Sequence, residues 1–138
     1  MEATLFADGG SRGNPGPAAA AAVLLDPAGE LVEEIGAYLG VATNNVAEWT
    51  GLILGLEAAA KRGVLRLQIR LDSELVVKQL RGEYRVKNAG LQPLYQRARR
   101  LLRSFTEVDI RHVPRAQNVL ADRLVNRLLD QEAAAPAK

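Results

Sequence analysis

The chain contains no cysteine and a single histidine, His112, among its 138 residues. Disulfide bridges and zinc sites built from thiolates are therefore excluded, and the composition favours neither an oxidising nor a reducing compartment. The longest wholly apolar run, residues 18–25, is far too short to span a bilayer. The first residues also lack the basic and apolar regions of a secretion signal. We therefore expect a soluble cytoplasmic protein.

Charge is distributed unevenly along the chain, although the net charge is only +2. Residues 1–60 carry eight acidic residues and one base, Arg12, whereas residues 61–138 carry seventeen bases and eight acids. A surface as basic as the segment 78–104 suits a polyphosphate backbone, or is simply a solvated helix face. The bases of this segment are Lys78, Arg81, Arg85, Lys87, Arg97, Arg99, Arg100 and Arg103.

The apolar pattern predicts one domain, residues 1–131, followed by a frayed tail at residues 132–138. Strands are expected at residues 3–8, 18–26, 31–39, 65–72 and 108–113. Helices are expected at residues 44–62, 73–80, 91–105 and 118–131. This order of elements implies an α/β fold in which helices cover a mixed sheet.

Asp8 ends the first predicted strand and opens the segment DGGSRGNPG. Its glycines can adopt positive φ and approach another surface closely. From these residues alone, the simpler interpretation is an ordinary hairpin turn with a solvated aspartate. Asp72, however, ends the fourth predicted strand in the same way. If the two strands are parallel neighbours, both carboxylates lie where open α/β sheets bind ligands.

Two further carboxylates lie near the starts of predicted helices. Glu48 belongs to the apolar stripe of the first long helix, where the alternative is a salt bridge to an arginine. Asp122 lies in the first turns of the last helix, where the alternative is a favourable interaction with the helix dipole. Four carboxylates at one end of a sheet repel one another unless their pKa values rise or cations hold them ionised. Oxygen ligands favour Mg²⁺ or Mn²⁺, and two such ions about 4 Å apart suit phosphodiester hydrolysis.

Four motifs, in this order, resemble the type 1 ribonuclease H family. They are DGGSRGNPG, TNNVAE ending at Glu48, LDS around Asp72, and NVLAD ending at Asp122. The resemblance covers residues 3–130 and implies a five-stranded mixed sheet of order 3-2-1-4-5, with strand 2 antiparallel to the others. It also implies endonucleolytic hydrolysis of the RNA strand of RNA/DNA hybrids, giving 5′-phosphate and 3′-hydroxyl ends.

The resemblance assigns roles to individual residues. It makes the catalytic carboxylates the ligands of two metal ions: Asp8, Glu48, Asp72 and Asp122. It implies that Asn14, Asn44 and Asn45 contact the minor-groove edge and the 2′-hydroxyls of the RNA strand, with Gly9, Gly10 and Ser11 beside them. It implies that Thr43 and Asn88 bind a phosphate of the DNA strand. An amide can donate to and accept from a 2′-hydroxyl, which distinguishes RNA from DNA, although Asn44 and Asn45 could instead cap the helix.

Two features depart from the family pattern. Segment 81–88 is too short for the basic insertion that many members carry, and the arginines of the third helix are expected to compensate only in part. Many members also place a mobile histidine before the last helix, where this chain has residues 114–117. His112 is expected inside the fifth strand with a structural role. Arg115 takes the histidine's place near the scissile phosphate but, being always charged, cannot shuttle protons.

Two other functions fit parts of the sequence. A related nuclease could act on double-stranded RNA or on DNA ends, although Asn44 and Asn45 argue against a pure DNA enzyme. A catalytically silent nucleic-acid binder would have lost at least one metal carboxylate, and all four are present. We expect a monomeric enzyme that binds an RNA/DNA hybrid and no membrane.

Overall fold

The computed structural model describes residues 1–134, and residues 135–138 lie outside the described part. The strands are β1 Glu2–Ser11, β2 Gly16–Leu25, β3 Leu31–Ala42, β4 Arg66–Leu71 and β5 Glu107–His112. The helices are α1 Asn44–Lys61, α2 Glu74–Leu80, α3 Gln92–Leu102 and α4 Val119–Ala133, with a 3-10 turn at Arg115–Gln117. Helix α4 therefore extends into the predicted tail, whose last four residues are those outside the description. Within residues 1–134, no helix combines the length and apolar character that a membrane crossing requires.

A single mixed sheet, in the order β3-β2-β1-β4-β5, supports the described fold. Strand β2 is antiparallel to β1 and β3, whereas β4 is parallel to both β1 and β5. The predicted topology is therefore confirmed, including the parallel pairing of β1 with β4. This pairing ends at Ala7 and Leu71, so Asp8 and Asp72 are the next residues on two adjacent strands.

Helices cover both faces of the sheet. Helix α1 packs against β1 and β2, and α3 packs against α1, whereas α4 packs against β2, β1 and β3. Strand β2 serves both cores: Ala22 and Leu24 belong to the large core under α1, and Ala19 and Ala21 to the small core under α4. Side chains alternate between the faces of a strand, so α1 and α4 lie on opposite faces. Burial on both faces explains the unbroken apolar run of β2.

Strand β1 continues three residues beyond its predicted end at Asp8. Gly9, Gly10 and Ser11 pair with the antiparallel strand β2 instead of beginning a turn. Glycine is normally unfavourable inside a strand and predicts a break there. Here the partner strand continues the pairing, and the turn begins after Ser11, with a φ of 103° at Gly13.

Glycines allow α1 to lie directly on the end of β1. A Cβ atom on Gly9 would stand 2.1 Å from the carbonyl carbon of Ala47. A Cβ atom on Gly51 would stand 2.3 Å from the carbonyl oxygen of Asp8. Both separations are far below van der Waals contact, so both positions require glycine. The close approach brings the start of α1, with Glu48, against the end of β1.

We expect Gly9→Ala to lower the free energy of unfolding by about 3 kcal/mol, because the two backbones must separate. Gly10→Ala is the matched control, since its Cβ would lie 3.6 Å from a methyl carbon of Val125, an ordinary contact. The control should change the free energy of unfolding by about 1 kcal/mol or less. Urea denaturation measures both variants, and equal stabilities would show that the packing of α1 does not depend on Gly9.

Candidate active site

Asp8, Glu48 and Asp72 meet where the pairing of β1 with β4 ends. Each offers one carboxylate oxygen, and the three oxygens lie within 4.8 Å of one another. Asp8 and Asp72 reach this point from adjacent strands, and Glu48 reaches it from the beginning of α1. The structure thus brings together three of the four predicted metal ligands from three separate segments of the chain.

Burial and mutual repulsion raise the pKa values of two of these carboxylates. Burial is the largest cause for Asp8, whose pKa rises from 3.8 to about 7, and the neighbouring carboxylates, Asp72 first, add to it. The pKa of Glu48 also rises, from 4.5 to about 7, mainly through burial. A hydrogen bond with Ser73 and the charge of Arg115 act in the opposite direction on Glu48. Both groups are therefore close to the boundary between neutral and charged at pH 7.

The carboxylates open into a cleft of about 400 Å³, which we call the acidic cleft. Asp122 lines it from α4, although Asp122 lies outside the group of three oxygens described above. Arg115 lines it from the 3-10 turn before α4. The structure therefore gathers all four predicted metal ligands and the predicted phosphate-binding arginine around one cleft.

The donor set of the acidic cleft suits a hard divalent cation. The four candidate ligands are all carboxylates, which Mg²⁺ and Mn²⁺ prefer. Within the described residues, Oδ2 of Asp72 is buried and has no hydrogen-bond partner. Leaving such an oxygen unpaired is costly, and coordination of a cation would account for its position. The residues present therefore fit a metal ion.

A second cleft of about 650 Å³, which we call the amide cleft, adjoins the acidic cleft. The two clefts share Asn44 and Glu48. The amide cleft is lined by further predicted substrate contacts: Asn14, Thr43, Asn45 and Asn88. The acidic cleft is lined by the remaining ones: Gly9, Gly10 and Ser11. The predicted site residues thus lie along one continuous surface.

Hydrogen bonds tie the β1–β2 turn to the first turn of α1. The backbone nitrogen of Asn44 donates to Oδ1 of Asn14 at 3.1 Å. The backbone nitrogen of Ser11 donates to Oδ1 of Asn44 at 2.7 Å, and the Ser11 hydroxyl donates to the carbonyl of Ala42 at 2.8 Å. Asn14, Asn44 and Ser11 therefore fix the shape of the site, whatever contacts they make with a ligand.

Thr43 is the residue that caps α1. Its Oγ1 accepts a hydrogen bond from the backbone nitrogen of Val46 at 3.2 Å. The alternative in which Asn44 and Asn45 cap the helix is therefore wrong. Asn45 is exposed and lines the amide cleft, where it can meet a ligand.

Asn88 lies in the connection between α2 and α3, which is only residues 81–91. Its Oδ1 accepts a hydrogen bond from the backbone nitrogen of Gly90 at 2.7 Å, and both residues line the amide cleft with Thr43. The connection is as short as the sequence predicts, and it holds no basic insertion.

The arginines of α3 lie away from both clefts. Arg97 pairs with Glu57 at 2.9 Å, and Glu57 lies thirteen residues beyond the start of α1, about 20 Å along the helix. Arg99 donates to the backbone carbonyl of Leu80 at 3.0 Å. Because the two clefts lie elsewhere, this position favours a solvated helix face over a surface that binds phosphates at the clefts. The residues concerned, none of which lines either cleft, are Arg97, Arg99, Arg100 and Arg103.

His112 is the last residue of β5, so its predicted place in the fifth strand is confirmed. The residue is exposed rather than packed into the core. It lies near Glu74, whose pKa is lowered mainly by Lys78 and slightly by His112. This environment does not support the structural role that the sequence suggests.

Asn118 contributes to the site in a way that the sequence does not reveal. It is 1% exposed, and its Nδ2 donates to the backbone carbonyl of Ala7 at 2.9 Å. Its own backbone carbonyl accepts from the nitrogen of Asp122 at 3.1 Å. Asn118 thus ties the start of α4 to the residue before Asp8. Its place in the NVLAD motif is a signal, but its partner lies 111 residues away in the chain.

Similarity to known proteins places this chain in a family. A family described as reverse transcriptase-like matches residues 6–128. The bifunctional protein Rv2228c of Mycobacterium tuberculosis is 46% identical over 142 residues, which cover 99% of this chain and 39% of that protein. Ribonuclease HI of Halobacterium salinarum is 49% identical over 125 residues, which cover 91% of this chain and 63% of that protein. The chain therefore spans less than two thirds of the length of these relatives.

Solved structures agree with the sequence matches. The N-terminal RNase H domain of Rv2228c aligns with a TM-score of 0.93 at 43% identity, covering 98% of this chain and 99% of that one. RNase H1 of Halobacterium salinarum aligns with a TM-score of 0.91 at 46% identity, covering 95% and 99%. LC11-RNase H1, in complex with an RNA/DNA hybrid, aligns with a TM-score of 0.90 at 36% identity, covering 96% and 99%. On this agreement of sequence and topology, the chain belongs to the type 1 ribonuclease H family, in the form without a basic insertion.

Proposed function

We propose that this chain hydrolyses the RNA strand of RNA/DNA hybrids endonucleolytically, leaving 5′-phosphate and 3′-hydroxyl ends. The observation that carries the proposal is the joining of two clefts by one helix. Glu48 lines the acidic cleft, and Asn44 and Asn45, about one turn earlier on α1, line the amide cleft. The first cleft suits metal-dependent cleavage of a phosphodiester, and the second suits recognition of a nearby 2′-hydroxyl. The complex of LC11-RNase H1 with an RNA/DNA hybrid supports this choice of substrate.

We propose two Mg²⁺ ions as cofactors, with Mn²⁺ as the alternative, held by Asp8, Glu48, Asp72 and Asp122. Bound ions of this kind would activate a water molecule and stabilise the leaving oxygen. The chain itself supplies the placement of the carboxylates. Strands β1 and β4 and the first turns of α1 and α4 surround the acidic cleft, and Asn118 ties the start of α4 to β1.

The remaining site residues would position the hybrid. The minor-groove edge and 2′-hydroxyls of the RNA strand would contact Gly9, Gly10, Ser11, Asn14, Asn44 and Asn45. A phosphate of the DNA strand would bind at Thr43 and Asn88, which line the same cleft. Arg115 would help to hold a phosphate of the RNA strand near the cut or to release the product, and it would not shuttle protons because a guanidinium stays charged.

A panel of labelled substrates tests this proposal directly. The panel contains the RNA/DNA hybrid, RNA/RNA, DNA/DNA and the single strands, each with and without Mg²⁺. We expect cleavage of the RNA strand of the hybrid when Mg²⁺ is present and no cleavage when it is omitted. Comparable cleavage of RNA/RNA or of DNA ends would indicate a related nuclease, and binding without any cleavage would indicate a silent binder.

We further propose that the protein is a cytoplasmic monomer, and sedimentation tests the oligomeric state.

Glu48→Gln should reduce the rate of hybrid cleavage at least about a thousandfold, because it removes the charge of a metal ligand. Glu57→Gln is the matched control, since Glu57 lies on the same helix and pairs with Arg97 away from both clefts. The control should retain the activity of the unchanged protein. Substantial Mg²⁺-dependent turnover by folded Glu48→Gln protein would contradict the assignment.

The raised pKa values predict an unusual dependence of stability on pH. Asp8 and Glu48 have pKa values of about 7 in the folded protein, against ordinary values of 3.8 and 4.5. The folded protein therefore binds more protons than the unfolded chain between these values, so the stabilisation present at low pH is lost as pH rises through about 7. Mg²⁺ should restore stability at pH 8, because it binds the ionised carboxylates of the folded state.

Urea denaturation in EDTA, from pH 5 to pH 8, measures this loss of stability. Asp8→Asn should reduce the slope of the free energy of unfolding against pH, because the variant has one group with a raised pKa fewer. Glu57→Gln should leave this slope unchanged. The same slope in Asp8→Asn as in the unchanged protein would exclude Asp8 as its source.

Asn45→Ala should slow cleavage by losing a contact of about 1–3 kcal/mol with a 2′-hydroxyl and by poorer placement of the phosphate. The loss should be large on an all-RNA strand and smaller on a strand whose 2′-hydroxyls near the cut are replaced by hydrogen. The ratio of the two losses isolates the contact, as in a double-mutant cycle. Equal losses on both strands would show that Asn45 does not contact the 2′-hydroxyl. Thermal unfolding of Asn45→Ala provides the control for folding.

A further inference from the structure

The acidic cleft extends from the carboxylates along α4. Val125 and Leu129 line it beyond Asp122, and Arg12 of the β1–β2 turn lines it as well. Arg12 contacts α4 at Asp130, eight residues after Asp122, which corresponds to about 12 Å along a helix. A single phosphate group cannot contact both places. Arg12 is therefore positioned for a different part of the strand than the carboxylates are.

The backbone around Arg12 is held firmly. Its backbone nitrogen donates to the carbonyl of Pro17 at 2.8 Å, which closes the β1–β2 turn. The preceding residue, Ser11, is tied to Asn44 of α1 by the hydrogen bond described above. The guanidinium therefore extends from a fixed point beside the cleft.

The Arg12 side chain is paired but remains available. Its Nη2 lies 2.6 Å from Oδ1 of Asp130, and the two side chains are 42% and 69% exposed. An ion pair this exposed contributes little to stability and can be exchanged for another anion. Arg12 is also the one base among residues 1–60, whose other charged side chains are all acidic. Arg12 is thus the one basic side chain that residues 1–60 place at the cleft.

We propose that Arg12 binds a phosphate of the cleaved strand other than the scissile phosphate, and that Asp130 competes for Arg12. This inference rests on the proposed function. The strand that reaches the carboxylates is the one that continues along the same cleft. A guanidinium matches the geometry of a phosphate with two parallel hydrogen bonds.

Steady-state kinetics on the RNA/DNA hybrid, repeated over a range of salt concentrations, test the proposal. Arg12→Gln should raise KM about fivefold at low salt, with little change in kcat. It should also reduce the salt slope by about one unit. Asp130→Asn should lower KM by releasing Arg12. The double variant should behave like Arg12→Gln alone, because without Arg12 there is no guanidinium for Asp130 to pair with.

The pair Arg127–Glu34 provides a matched control. Arg127 is on the same helix, its contact with Glu34 is 3.3 Å, and both side chains are about half exposed. Neither residue lines the acidic cleft. Arg127→Gln and Glu34→Gln should therefore leave KM and the salt slope unchanged. An effect of Arg127→Gln equal to that of Arg12→Gln would overturn the proposal, because it would reflect net charge alone.

Hybrids with one neutral methylphosphonate at successive positions of the RNA strand locate the contact. The increase in KM caused by Arg12→Gln should disappear when the neutral group stands at one position of the RNA strand and persist at the others. Wild-type protein that cleaves the hybrid, with Arg12→Gln unchanged in KM and salt slope, would overturn this inference alone. Wild-type protein that neither binds nor cleaves the hybrid would overturn the proposed function and this inference with it.

Discussion

The contact between the backbones of β1 and α1 determines where the groups of the site lie. Gly9 and Gly51 leave no side chain between the strand and the helix, so Glu48 shares a site with Asp8. The same approach brings the first turn of α1 to the β1–β2 turn, where Asn44 joins them by hydrogen bonds. Both clefts therefore depend on one contact, and a wider separation of strand and helix would disrupt them together.

This arrangement carries an electrostatic cost. The pKa values of about 7 at Asp8 and Glu48 show that burial and neighbouring charges oppose ionisation there. The charge of Arg115 lowers the pKa of Glu48 but does not offset the cost, whereas a divalent cation would supply two positive charges. Residues that oppose stability in this way are typical of functional sites, because a protein selected for stability alone would replace them.

The sequence predicts the elements and the meeting of the carboxylates, but not the contacts that hold them. Alternating apolar residues predict β4, and the motifs at Asp8 and Asp72 predict their proximity, because both depend on local patterns. Two features of the site do not follow from local patterns. Gly9 suggests a turn, since the backbone of Ala47 that excludes its Cβ belongs to another element. Asn118 and Arg12 have partners more than a hundred residues away.

The position of Asn45 and Glu48 on one turn of α1 has a consequence for how the protein would choose where to cut. Three residues of helix separate Asn45 from Glu48 by about 4.5 Å of rise, so a sugar held at Asn45 would lie at a fixed distance from a phosphate held at Glu48. Minor-groove edges differ little between base pairs, so contacts made there depend on the sugar and hardly on the order of bases. A cleavage position that is set by a contact with a sugar would depend little on the neighbouring base. The protein would then tolerate every sequence while rejecting strands built on deoxyribose.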